Sequence, residues 1–150
     1  MYNVFQFLHV AAAIVWLGSG VGLMALMAVM ARSGDRATLM AVTRHLDVLG
    51  PRLFGPAAMS TLIFGVISVL VNEGISFTDT WIIVGLLGVA VSMVIVVISN
   101  GINKKLAAAI EQHGPEHPDA AAAMSRARQL HYVDMVVLFV VVAAMVIKPG

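Results

Sequence analysis

Four stretches of the chain stay apolar for long enough to cross a hydrocarbon layer, and polar residues gather between them. A helix needs about 20 mainly apolar residues to traverse a layer roughly 30 Å thick. The first stretch, 4–31, is interrupted only by Gln6, His9 and a small-residue patch of Gly18, Ser19, Gly20 and Gly22. A second, 53–71, is entered through Pro51 and carries Pro56 in its first turn or just beyond, where proline costs a helix least. The third covers 81–99. The fourth reaches spanning length over 130–148 if the Lys148 stem snorkels outward, which sets Asp134 at or just inside the membrane edge. Backbone amides in lipid must be satisfied within their own segment, and the runs are too long and too little alternating for barrel strands. The pattern therefore predicts an all-α integral membrane four-helix bundle of up-down topology, one domain over 1–150.

Charge placement gives that bundle an orientation. Eight of the nine Lys and Arg residues fall in two connections: Arg32, Arg36, Arg44 and Arg52 between spans one and two, and Lys104, Lys105, Arg126 and Arg128 between spans three and four. Cytoplasmic loops retain such residues, so both termini are expected outside. No basic residue precedes Arg32, whereas a cleaved signal peptide wants a basic start, so the first span reads as mature structure.

Within the basic connections, Leu39, Val42, Leu46 and Leu49 recur at helical spacing, which suits an interfacial helix or an extension of span two. The alanine-rich run 119–129 reads as a helix leading into span four, with Asp119 as its N-cap. Gly114 and Pro115 mark a turn before it, so His113 and His117, although four residues apart, are expected in a solvated loop.

Composition narrows the chemistry. The chain is 60% hydrophobic and 11% charged, against roughly 25% charge in a soluble domain. The net charge of +1 offers no surface for nucleic acid, and a Cys count of zero excludes disulfides, thiolate metal centres and cysteine nucleophiles. The expected partners are the lipid bilayer and a second copy or a larger membrane complex. Nothing resembles a serine triad, a phosphate loop or paired catalytic carboxylates.

An ionisable group inside a span is costly and usually faces the bundle interior, which singles out His9. It lies about 9 Å along the helix from Asn3, in the outer leaflet. Trp16 and Gly20 follow seven and eleven residues later on the same face. A histidine above a smooth small-residue surface leaves room for a flat ligand, and haem b is the natural one, since neutral imidazole is its commonest axial ligand. Met145, at comparable depth in span four, is a geometrically possible second ligand; a His9 pair across a dimer or a five-coordinate iron is equally open. Equally, His9 can donate to a carbonyl on a neighbouring helix while Gly18, Gly20, Gly22 and Ala25 serve close helix packing.

A second cluster gathers on the basic side: Arg44, His45, Asp47 and Arg52 before span two, and His131, Tyr132 and Asp134 at the start of span four. Imidazoles and a carboxylate there suit a metal or haem site, but interfacial His and Tyr with Arg–Asp pairing give the same pattern, and that is the stronger reading. Ser60, Ser68, Ser92, Ser99 and Asn100 are expected to hydrogen-bond between helices or back to their own carbonyls.

The opening Phe7-Leu8-His9-Val10 with Trp16-Leu17-Gly18 resembles the start of a superfamily of small bacterial membrane proteins that includes the CopD copper-resistance proteins and the HemJ-type haem-dependent protoporphyrinogen oxidases. Asp134 and the closing 145–150 segment resemble a CopD-related family of integral membrane proteins of unknown function. The resemblance implies the inner membrane of a bacterium as the location and a haem-associated histidine at His9. It does not extend to a lysine in the third span, which the oxidases carry and residues 81–99 lack. The expected function is haem b binding in electron transfer or haem handling; the alternatives are a non-catalytic membrane subunit or assembly factor and a copper-handling protein.

Overall fold

The computed structural model describes residues 2–33, 36–114 and 117–149, and their side chains except at 31, 33, 36–44 and 46–51. The described residues are all helical or in turns, in four helices: α1 (Tyr2–Ser33), α2 (Arg36–Leu70), α3 (Thr80–His113) and α4 (Pro118–Ile147). Each contains a segment long and apolar enough to cross a membrane. They form two compact units, 1–76 and 77–150, each an antiparallel helical hairpin.

In the first hairpin α1 packs on α2. Its more buried positions include Phe5, His9, Ala12, Trp16, Gly20, Leu23, Met27 and Met30, an alternation of three and four residues that keeps one stripe against the partner helix. The extension expected for span two is realised as one unbroken α2 from Arg36. Pro51 and Pro56 therefore lie in the helix interior rather than in a first turn. The missing N–H of Pro56 leaves the Arg52 carbonyl without its helical donor.

In the second hairpin the stripe on α3 runs Ile82, Gly85, Val89, Ser92 and Ile95, and α4 answers with Asp134, Met135 and Leu138. Lipid offers no hydrophobic drive between helices, so close packing matters most. At Gly88 the Val141 side chain occupies the space a Cβ would need: a Cβ there would run into Val141 Cγ2.

Gly114 ends α3 at φ +84° and ψ 165°, a positive-φ conformation that glycine adopts without steric cost, and its N–H donates to the Ile110 carbonyl; Pro115 lies outside the described residues. The cap differs from expectation. His117, not Asp119, is the N-cap: its Nδ1 accepts from the Asp119 N–H at 3.3 Å, and Pro118 takes the first helical position. Asp119 instead places its negative charge in the first turn, where the helix dipole favours it. His113, expected in a loop, is the last residue of α3, and its ring lies 4.6 Å between centroids from that of His117. At the other end of this hairpin, Lys148 holds its Nζ 5.1 Å from the centre of the Trp81 ring.

Candidate functional site

His9 Nδ1 lies 2.7 Å from the carbonyl oxygen of Thr61 on α2. A carbonyl only accepts, so the bond needs the proton on Nδ1, and in the neutral imidazole with that proton Nε2 holds the lone pair. The neighbour that makes this approach possible is Gly65. In an α-helix the carbonyl of residue 61 points toward residue 65, and a Cβ there would sit 2.9 Å from His9 Nδ1 and 3.0 Å from Cε1. Thr61 is buried and its hydroxyl donates to the Ala57 carbonyl at 2.8 Å, so it makes no competing demand on the imidazole.

Trp16 and Gly20 fall on the same buried stripe as His9. Trp16 is packed into the hairpin rather than presented as an open wall. The small-residue patch divides: Gly20 is buried, whereas Gly18 and Gly22 are exposed, with open space where a Cβ would stand. Met145 belongs to the second hairpin, half-buried, its Cε over Gly85.

The cluster predicted on the basic side separates by environment. His45 is exposed on α2, while the side chains of Arg44 and Asp47 lie outside the described residues. On α4, Tyr132 is exposed and His131 half-buried, but Asp134 is only 6% exposed, set between α3 and α4 rather than at a solvated face. It stands beside Ser92, itself 0% exposed, and within electrostatic reach of His131. Ser92 Oγ and Asp134 Oδ1 nevertheless close no well-formed hydrogen bond. Ser68, by contrast, back-bonds to the Phe64 carbonyl at 2.7 Å, one of the two arrangements expected for the serines.

Among the described residues no three His, Cys, Asp or Glu side chains converge as metal ligands would. Thr61 and Gly65 are the partners that reading the chain for ionisable groups overlooks. Their only signal is a hydroxyl residue and a glycine one helical turn apart, a pairing too common to stand out.

Four membrane-length helices, with no strand among the described residues, define an integral membrane protein. The sequence matches, over residues 3–149, the family model described as predicted integral membrane protein (DUF2269), and the chain belongs to that family. The description names no ligand and shows no link to the CopD or HemJ groups. No curated protein and no solved structure matches the chain.

Proposed function

We propose that this protein binds haem b within the membrane through His9 and serves electron transfer or haem handling. The observation that carries the reading is the hydrogen bond from His9 Nδ1 to the Thr61 carbonyl. Imidazoles that ligate a metal through one ring nitrogen almost always commit the other to a carbonyl, carboxylate or water, which fixes tautomer and ring orientation. The donor set suits haem, which needs one or two axial ligands, better than an ion that needs three or four protein ligands. When bound, haem supplies one-electron chemistry. The chain's own part is to hold: Gly65 seats the ring, Thr61 anchors Nδ1, and Nε2 is left as the neutral donor.

A second reading, a packing subunit without cofactor, expects the same bond from His9 to a carbonyl on the neighbouring helix, and one further observation favours it. Gly18 and Gly22 form a small-xxx-small face directed away from the hairpin's own contacts, the pattern by which membrane helices approach a partner closely.

Oxidised and dithionite-reduced absorption spectra, with a pyridine haemochrome count, separate the readings in protein expressed with ample haem and purified in mild detergent. Haem binding predicts a Soret band and reduced α and β bands that vanish in His9→Ala. A flat spectrum in folded protein, with assembly lost on Gly18→Leu and Gly22→Leu, supports the packing subunit. Stoichiometric copper without haem bands supports copper handling.

A further inference from the structure

We propose that Asp134, Ser92 and His131 form an intramembrane proton-binding site, in which a proton on the Asp134 carboxyl exchanges with the His131 imidazole. The site lies wholly in the second hairpin and is independent of the haem reading.

Ser92 behaves unlike three other helical hydroxyls. Ser19, Thr61 and Ser68 each donate to the carbonyl four residues earlier in their own helix, at 2.6, 2.8 and 2.7 Å. Ser92 makes no such bond although it is the most deeply buried of them, and it stands beside Asp134 instead. Two buried polar atoms, Ser92 Oγ and Asp134 Oδ1, are thus left without a bond in surroundings where an unmet polar group is costly. A carboxylate only accepts, whereas a carboxylic acid also donates. An ionised Asp134 can be met only by the Ser92 hydroxyl donating to it, whereas a protonated Asp134 can itself donate to Ser92 Oγ and leave the serine hydroxyl for its own helix.

The surroundings narrow what Asp134 can exchange with. From α3, residues 80–103 contain no titratable side chain, and the nearest cations, Lys104 and Lys105, begin about 18 Å along the helix from Ser92. On α4, residues 135–147 are likewise without one, and Arg128 and Tyr132 are exposed. His131 remains, three residues earlier, on the same face and half-buried toward the basic connection. In the exchange the Asp134 O–H bond breaks and an imidazole N–H forms. His131 then passes that proton to water at the basic end, so the site can load and unload from that side.

Infrared difference spectra of the full-length protein in nanodiscs, recorded across a pH titration in H₂O and D₂O, test the site. The expected result is a carboxylic C=O band that titrates, shifts on deuteration and is absent in Asp134→Asn. Ser92→Ala should move the band without removing it, which keeps the test decisive if the Asn variant does not fold. His131→Gln should displace the midpoint by about one pH unit or more, the size of effect a neighbouring titrating group exerts. A band insensitive to Ser92→Ala, the absence of any Asp134-dependent band, or a midpoint unmoved by His131→Gln overturns the proposal.

Discussion

The two hairpins treat a buried polar side chain in opposite ways. In the first, His9 is held by a closed 2.7 Å bond to Thr61, with Gly65 shaped to receive the ring. In the second, Asp134 and Ser92 are more deeply buried, yet atoms of both remain unbonded. A closed bond fixes a side chain in one orientation and leaves its other nitrogen for a ligand. An open pair is a place that something small must complete. The glycines repeat the contrast, because Gly65 makes room for a polar ring while Gly85 and Gly88 make room for Met145 and Val141. The first hairpin is thus organised around a held donor, and the second around tight apolar packing with one polar gap.

The largest effect that would break this comparison comes from His9→Ala. Complete loss of bound haem is expected, with the helical circular dichroism of both hairpins preserved. Next is Gly88→Leu, whose added side chain must displace Val141. Overpacking of this kind costs about 1–3 kcal/mol, to be read as a lowered midpoint in denaturant titration of the reconstituted protein. Haem content per folded chain should not change, since the substitution lies in the other hairpin.

Gly65→Ala sharpens the comparison from the opposite side. Its Cβ would stand 2.9 Å from His9 Nδ1, so the ring must turn out of the Thr61 bond. The expected loss is about 0.6–2 kcal/mol of hairpin stability, the range of interhelical hydrogen bonds in membranes, together with weakened or altered haem absorption. A variant that keeps both unchanged removes the claim that Gly65 seats the imidazole. The smallest effect belongs to Trp81→Leu, which removes the contact with the Lys148 ammonium. A partly exposed cation–π pair is worth about 0.5–1 kcal/mol, and thermal unfolding of the second hairpin should shift only slightly.

How much of this was legible in the chain follows from what lipid demands of it. Spans are written as runs of apolar residues because an unmet amide in hydrocarbon is so costly, and all four are plain from hydropathy. His9 stood out for the same reason, as did its shared face with Trp16 and Gly20. Its partner did not, because a backbone carbonyl has no letter in the sequence. Gly65 reads as one more small residue until the facing helix shows what fills its space. The continuity of α2 through Pro51 and Pro56 was hidden too. Two prolines read as an entrance to a helix, yet the flanking turns hold the helix together across a lost hydrogen bond. At the α4 start, Asp119 has the better capping chemistry, but Pro118 needs the first helical position and so moves the cap back to His117. Asp134 looked interfacial because polar residues gather at membrane edges. Only its packing against Ser92 shows it to be enclosed.

The central claim is that His9 is held through Nδ1 so that Nε2 carries the free lone pair. Solid-state NMR of ¹⁵N-histidine-labelled, haem-free protein in lipid, with His9 assigned through His9→Gln, reads that tautomer directly. The account predicts a protonated Nδ1 hydrogen-bonded to the Thr61 carbonyl oxygen and an unprotonated Nε2. A proton on Nε2 with Nδ1 bare would contradict it, because a bare Nδ1 has nothing to donate to Thr61.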